Sequence, residues 1–321
     1  MARSARAVAA MLVAVVVPAS LGMRWPTTTG PRQSSSTSTT RRAQVAALGG
    51  GLAAMISSCA SAAITDDDEA SVAAEAVRLF ERGDLDASLA AWTALTQRTP
   101  TERLYWANRG TVELILGSRR AKLGEKPTGA AERQLLSAVA SFERASALGD
   151  RDALSLNNLG NALGVLLRWP EAADAYDRAA AAAFDAKTAA TASLARQNRA
   201  QVALELGDWA DAESRVVALV RRDPNFLDGR ALLAAIKFRR GDKDGAEEAF
   251  AAICRPAVSS PNRFTPPTRG LGGTDWCEAY ASRDIVTGRW TPTATEAYDA
   301  FLASRSKSAR LVADANPFRD L

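Results

Sequence analysis

The chain has 321 residues, 47% of them hydrophobic, which is enough apolar material for about two domains. It contains no histidine, which excludes histidine-based catalysis and histidine metal ligands, and no two of its three cysteines have metal-site spacing. The net charge of +4 would suit an anionic partner, but residues 1–65 hold six arginines and no acid. Removing these six from the 40 basic residues leaves 34, against 36 acidic residues, so nucleic-acid binding is not expected.

The first 63 residues have the composition of targeting segments. Residues 1–22 have the basic start and apolar run of a secretory signal peptide. Residues 23–40 are rich in serine and threonine, as in a plastid transit peptide. Residues 41–63 combine a twin arginine with a weak apolar run and a small-x-small cleavage site. Three signals in this order predict entry into the secretory route, then a plastid, then the thylakoid lumen, as in algae whose plastid came from a eukaryotic endosymbiont.

Two other interpretations of this leader stay open. A membrane anchor would need about 20 apolar residues, whereas both apolar runs are shorter, and Pro18 and Gly49–Gly51 interrupt them. Alternatively, the segment 56–59, which ends in Cys59, resembles a bacterial lipoprotein site and would tether the chain to an envelope membrane. The separate apolar run at residues 7–18 argues against that site, because a lipoprotein needs a single signal.

Residues 153–186 indicate two helices joined by a short turn at Leu167–Arg168. Small residues stand where the two helices must approach closely, and large ones stand between them to fill the space. This is the pattern of the 34-residue tetratricopeptide (TPR) unit. The residues predicted to shape this and the equivalent units are Gly110, Gly160, Trp169, Ala172, Trp209 and Ala212.

The same pattern recurs along residues 69–254, and two intervals, Ala138 to Ala172 and Gly207 to Gly241, span one full period each. One helix pair cannot bury its apolar face alone, whereas a stack of pairs buries a continuous core. The sequence therefore predicts an all-α fold, an α-solenoid of about five TPR repeats with a C-terminal capping helix.

Three segments interrupt or follow the repeats. Residues 118–130 are basic and rich in helix breakers, which predicts an exposed insertion loop in the second repeat. An alanine-rich connector precedes the fourth repeat. Residues 255–321 form a proline- and glycine-rich loop and then a helix over Thr293–Ser304, with Thr291 as N-cap and Pro292 in its first turn. That helix is expected to close the last repeat, and the residues after about 305 are expected to fray.

Several motifs resemble the TPR-like proteins of the thylakoid lumen in plants and algae. The resemblance covers roughly residues 105–302, apart from the insertion and the proline-rich loop. It implies a lumenal location and a scaffold-like role more than a defined activity. Trp290 belongs to its most specific motif, because a TPR consensus does not require that motif. The motifs are Arg109-Gly110, Asn158-Leu159-Gly160-Asn161-Ala162-Leu163, Arg168-Trp169-x-Glu171-Ala172, Phe226-x-Asp228-x-Arg230-Ala231 and Arg289-Trp290-x-Pro292…Phe301-Leu302.

Cys254 and Cys277 remain after removal of the leader and form a disulfide candidate in an oxidising compartment. A bridge between them would tie the last repeat to the cap, with a stabilisation of about 3 kcal/mol. The alternative is two buried free thiols.

The inner groove of a TPR array is lined by fixed positions of the first helices. In the third and fourth repeats these positions carry Asn157, Asn161, Gln197 and Gln201, followed by Glu205. Amides both donate and accept hydrogen bonds, so these side chains are predicted to contact the backbone of a bound peptide. A second set of asparagines (Asn108, Asn158 and Asn198) is expected either to do the same or to order the repeats themselves.

No nucleophile motif, phosphate-binding loop or metal-ligand spacing is recognisable, so we expect neither an enzyme nor a cofactor. The glycines at 270–273 follow no strand and open no helix. The groove also lacks the lysines and arginines with which co-chaperone TPR domains bind a terminal carboxylate. The expected function is a protein-binding scaffold or assembly factor of a photosynthetic complex, with a thylakoid complex subunit as partner and peripheral or no membrane contact. The alternatives are a homo-oligomeric structural protein and a bacterial envelope lipoprotein.

Overall fold

The computed structural model describes residues 66–122, 124–182, 186–254 and 276–314. Within these ranges the chain forms twelve α-helices and one short 3-10 helix, and no β-strand. The helices are α1 (Asp66–Glu81), α2 (Leu85–Arg98), α3 (Arg103–Arg120), α4 (Gly129–Ala147), α5 (Ala153–Val165), α6 (Trp169–Ala181), α7 (Ala186–Glu205), α8 (Trp209–Arg222), α9 (Leu227–Arg239), α10 (Lys243–Cys254), α11 (Trp276–Tyr280) and α12 (Pro292–Asp314), and the 3-10 helix is Arg283–Ile285.

The first ten helices form five hairpins, and each hairpin packs against the next one along the chain. This arrangement confirms the predicted α-solenoid of about five repeats. The helix α12 packs mainly against α9 and also contacts α7, so it is the cap of the solenoid. The predicted signal and transit segments, the loop over 255–275 and the end of the chain lie outside the described residues.

A glycine–aspartate pair makes the turn within three of the hairpins. Gly207 has a φ of 79°, a left-handed conformation that only glycine adopts without strain. Asp208 follows it and accepts the backbone N–H of Asp211 at 2.9 Å, which caps the first turn of α8. The same pair recurs at Gly83–Asp84 and Gly241–Asp242.

The third hairpin makes the same turn without this pair. Its turn lies at Leu167–Arg168, as the sequence predicts, and Leu167 takes the left-handed position with a φ of 60°. An L-residue with a Cβ pays roughly 1–2 kcal/mol for that conformation. The packing of α5 against α6 therefore has to hold this turn in place.

The apolar residues gather in two large clusters. One runs from Ala73 on α1 to Val202 on α7, and the other from Ala200 on α7 to Phe301 on α12. Trp290, just before α12, is fully buried in the second cluster, with its ring centroid 5.3 Å from that of Tyr298. The cap therefore shares a core with the last two repeats.

The predicted insertion loop over 118–130 is wrong at both ends. Helix α3 continues to Arg120 and α4 begins at Gly129, so the non-helical connection is only residues 121–128. The two helices are long because they bury each other closely. A Cβ at Gly117 would lie 2.7 Å from Leu135 Cγ, which shows how near the two backbones pass. Much of the inserted sequence thus lengthens the hairpin.

The alanine-rich connector before the fourth repeat is helical from Ala186 onward, because alanine is the strongest helix former. One further expectation needs correction. The last helix was expected to end near residue 304 and the rest to fray, but α12 continues to Asp314. In the part of the chain that the structure describes, no helix has both the length and the apolar character needed to cross a bilayer.

Candidate functional site

The four amides predicted to contact a peptide lie together on α5 and α7, and all four are buried. Asn157 and Asn161 are 0% exposed, Gln201 is 1% exposed and Gln197 is 2% exposed. The sequence placed them on an open groove, whereas the folded chain covers that surface. Their role in binding a peptide stays a prediction, and a partner can reach them only where the covering chain moves aside.

Asn198 joins the third and fourth repeats through this group of amides. Its Nδ2 donates to Asn157 Oδ1 at 3.1 Å and to Asn161 Oδ1 at 3.4 Å. The hydroxyl of Tyr176 donates to the same Asn161 oxygen at 2.9 Å. Buried amides that pair with one another in this way fix the register of adjacent helices. For Asn198, the ordering role is therefore the one that the contacts support.

The groove holds a segment of the protein's own chain. Gln201 Oε1 accepts the backbone N–H of Thr291 at 2.7 Å, and Glu205 Oε1 accepts that of Thr293 at 2.9 Å. Thr291 directly precedes α12, and Thr293 lies in its first turn. The hydroxyl of Thr291 has no hydrogen-bond partner among the described residues, so it is not the predicted side-chain cap. Glu205, on another repeat, caps the helix instead and places a negative charge at its N-terminus.

Asp228 holds the cap from the fifth repeat. Its carboxylate is 1% exposed and accepts the Tyr280 hydroxyl at 2.6 Å and the Arg289 Nη2 at 3.0 Å, and it also pairs with Arg289 Nη1. Burial lowers the pKa of Arg289, but the Asp228 carboxylate outweighs it and the pKa is raised above its usual value. The guanidinium is therefore a fixed positive charge opposite a buried negative one.

The connection over 121–128 reaches the same segment from the second repeat. A Cβ added to Gly124 would lie 2.7 Å from Pro292 Cγ, so the glycine backbone rests directly on the start of α12. A cavity of about 30 Å³ beside this contact is lined by residues of α3, of the α5–α6 turn and of the cap. The residues 291–293 are thus enclosed by three separate repeats.

Two amide atoms of the groove are left over. Asn157 Nδ2 and Gln197 Oε1 are buried and have no hydrogen-bond partner among the described residues. A buried donor or acceptor without a partner costs about 1–3 kcal/mol. The groove thus holds one unused donor, on α5, and one unused acceptor, on α7.

The remaining structural predictions concern packing. Gly110 and Gly160 face the rings of Phe142 and Tyr176, and a Cβ would lie 3.1 Å and 2.5 Å from them. Ala172 and Ala212 are fully buried. Trp169 and Trp209 are partly buried against the first and second apolar clusters, and the Arg239 guanidinium lies 5.7 Å from the Trp209 ring centroid.

Asp228 is a residue of the groove that was not among the predicted peptide contacts. It occupies one of the repeat positions whose side chains line the inner groove, and it also belongs to one of the motifs on which the resemblance to lumenal proteins rests. Applying the groove positions to the last repeat would therefore have found it. Its partner Arg289 stands 61 residues further along the chain, and no spacing rule connects the two.

A disulfide joins Cys254, at the end of α10, to Cys277 in α11. We expect reduction to lower the free energy of unfolding by about 3 kcal/mol, because the bridge closes a loop of roughly two dozen residues in the unfolded chain. Urea unfolding with and without a thiol reductant measures this. The control is the Cys254→Ser/Cys277→Ser variant, which should unfold at the same urea concentration in both conditions. Equal midpoints for the unsubstituted protein would contradict the expectation.

Three buried tyrosines predict a loss of stability at alkaline pH. Burial raises the pKa of Tyr176, Tyr280 and Tyr298, and the Asp228 charge adds to the effect at Tyr280. Below pH 10 the contribution of these tyrosines to the free energy of unfolding is fully present, because the phenols are protonated in both the folded and the unfolded state. Above pH 10 only the unfolded chain loses these protons. The free energy of unfolding therefore falls by about 1.4 kcal/mol for each tyrosine and each pH unit.

The free energy of unfolding should therefore fall by about 4 kcal/mol between pH 9 and pH 11. Urea unfolding at the two pH values measures this fall. Tyrosinate absorbance of the folded protein is the control, and it should stay low until unfolding begins. Ionisation of all the tyrosines near pH 10 in the folded state would contradict the prediction.

Comparisons relate this chain to a family model and to several solved structures. Residues 198–261 match the family model TPR_16, tetratricopeptide repeat. The solved structures with similarity to this chain include MamA, 18% identical over 55% of this chain and 91% of that one, with a TM-score of 0.45; PilF of Pseudomonas aeruginosa, 14% identical over 75% and 90%, with a TM-score of 0.46; and YrrB, 17% identical over 55% and 80%, with a TM-score of 0.41.

No curated protein sequence matches this chain. The match to the family model begins within α7 and covers the rest of the fourth repeat and the fifth repeat. Residues 198–261 are therefore tetratricopeptide repeats, and the described helices form an α-solenoid of about five helix–turn–helix repeats.

Proposed function

We propose that the protein is a non-catalytic scaffold or assembly factor of the thylakoid lumen that binds a protein segment and aids the biogenesis or maintenance of a photosynthetic complex. The order of signal-like segments in residues 1–63 and the resemblance of the repeat and cap motifs support the location. The TPR architecture supports the binding role, because its stacked helices form an extended concave surface.

The contact of Gln201 and Glu205 with residues 291–293 is the observation that carries the binding role. Both side chains accept backbone N–H groups, at 2.7 Å and 2.9 Å, so this groove holds a main-chain segment. Contacts to backbone atoms do not depend on the sequence of the bound segment. A client segment would pair with the unused Gln197 Oε1 and Asn157 Nδ2 next to these residues.

Gln197→Ala tests this binding role, because Gln197 Oε1 has no partner to lose among the described residues. Recovery of a crosslinked client from thylakoids should fall about five-fold, the value of one hydrogen bond. Because this side chain is 2% exposed, the change also leaves a cavity, so recovery is compared at a temperature at which both proteins are shown to be folded. Gln97→Ala is the matched control, since Gln97 is an exposed glutamine of α2. Unchanged recovery of the client with Gln197→Ala would show that the client binds to another surface.

Residues 1–65 fused to a fluorescent protein test the location in an alga with a plastid of secondary origin. We expect fluorescence in the thylakoid lumen. Absence of a plastid signal would reject the lumenal role. Incorporation of labelled fatty acid at Cys59 in a bacterial host would favour the envelope lipoprotein instead. A concentration-dependent oligomer without any client would favour the structural alternative.

A further inference from the structure

An open groove on a different face of the repeats lies between α2, α3 and α4. Its volume is about 520 Å³, within the range of sites that bind peptide side chains and small molecules. None of its lining residues belongs to α5, α7 or the cap, which form the site described above. They are Leu89, Thr93, Arg109, Glu113, Arg120, Ala130, Arg133, Gln134 and Ser137.

The floor of this α2–α4 groove is a fixed polar network around Glu113, which is 1% exposed. Its Oε1 accepts Arg109 Nε at 2.9 Å and the Ser137 hydroxyl at 2.7 Å, and its Oε2 accepts the Ser141 hydroxyl at 2.6 Å. The Arg109 guanidinium also lies 5.5 Å from the Trp106 ring centroid. Glu113 is therefore paired within the floor and does not repel an incoming anion as a free carboxylate would.

The rim of the groove carries two further cations. Arg120 ends α3, Arg133 lies in the first turns of α4, and both are exposed. The ion pairs formed among the described residues include neither of them. Three arginines against one glutamate give the lining a net charge of +2. This charge is local, because the chain without its leader has more acidic than basic residues.

We propose that the α2–α4 groove binds an acidic peptide segment of a protein partner. Arg120 and Arg133 would pair with its carboxylates, for which the planar guanidinium offers two parallel donors. Leu89 and Ala130 supply apolar contact area, and Gln134 offers an amide that can both donate and accept. The site is independent of the cap groove, so the array has two separate binding faces.

The probe that tests the proposal is a short fluorescein-labelled peptide of alternating glutamate and leucine. Its binding to the full-length chain is measured by fluorescence anisotropy. A second peptide, in which glutamine replaces each glutamate, is measured in the same way. The acidic peptide should bind, and rising salt should weaken it. Arg120→Gln/Arg133→Gln should weaken binding about ten-fold, since each exposed pair contributes a factor of a few. Both side chains are exposed, so the circular dichroism and thermal midpoint should not change.

Arg119→Gln/Arg144→Gln is the matched control. It removes the same charge from exposed positions of the same two helices, outside the groove. Retained affinity in this variant supports the proposal. Equal weakening of both double variants would overturn it, because the attraction would then come from net charge alone. Absence of binding, equal binding of the glutamine peptide, or preferred binding of phosphatidylserine vesicles would also overturn it.

Discussion

Asp228→Ala should lower the free energy of unfolding by about 3–5 kcal/mol, the cost of removing one member of a buried ion pair. The carboxylate is 1% exposed and is the acceptor for Tyr280 and Arg289. Without it, a guanidinium and a phenol hydroxyl would be left in the core of the cap without their partner. Urea unfolding followed by tryptophan fluorescence measures the loss, since Trp290 lies next to Arg289 in the chain and is fully buried.

The control for this prediction is Asp299→Ala. Asp299 pairs with Arg283 at 3.1 Å, but both side chains are about half exposed, so the loss should stay below about 1 kcal/mol. Replacing both Asp228 and Arg289 by apolar residues should recover much of the stability, because no buried charge then lacks a partner. If Asp228→Ala costs no more than Asp299→Ala, other contacts hold the cap.

Gly160→Ala should destabilise the third repeat by about 3 kcal/mol, after a gain of up to about 1 kcal/mol in helix propensity is subtracted. The new Cβ would lie 2.5 Å from Tyr176 Cε1, and this ring is 1% exposed, so its neighbours must shift with it. Overpacking of this kind costs up to about 3 kcal/mol. A displaced ring also gives up the hydrogen bond from its hydroxyl to Asn161, worth about 1 kcal/mol.

Gly164 provides the matched control one turn further along the same helix. A Cβ there meets Trp169 at 3.5 Å, an ordinary contact, so Gly164→Ala should be neutral or stabilise by up to about 1 kcal/mol through helix propensity. Adding Tyr176→Leu to Gly160→Ala should cost less than the sum of the two single changes, since the smaller side chain relieves the clash. Similar effects of Gly160→Ala and Gly164→Ala on the urea midpoint would contradict the packing explanation.

The cap contacts residues of three repeats that are far apart in the sequence. Residues 291–293 lie against Gln201 and Glu205 of the fourth repeat and against Gly124 of the second, while Arg289 pairs with Asp228 of the fifth. A segment held by contacts to three repeats limits the access of any client to the buried amides. A client could bind in this groove only if residues 291–293 were displaced from it. The α2–α4 groove, in contrast, is open.

The sequence by itself determined the repeat architecture. Helix periodicity, the small residues at Gly160 and Ala172, and the glycine–aspartate turns act between neighbours along the chain, so they can be recognised in one dimension. The same holds for the turn at Leu167–Arg168. The length of the second hairpin was missed because the basic residues and glycines of the insertion indicate a loop, whereas burial between α3 and α4 favours helix.

Only the tertiary structure decided what the groove contains. The amides at 157, 161, 197 and 201 were recognisable as inward-facing, but their burial depends on where other parts of the chain lie. The pairing of Asp228 with Arg289 and of Glu205 with Thr293 joins residues 61 and 88 positions apart. Such contacts follow from the angle at which the cap meets the last repeat. That angle is set by packing across the whole second core, and no local pattern in the sequence encodes it.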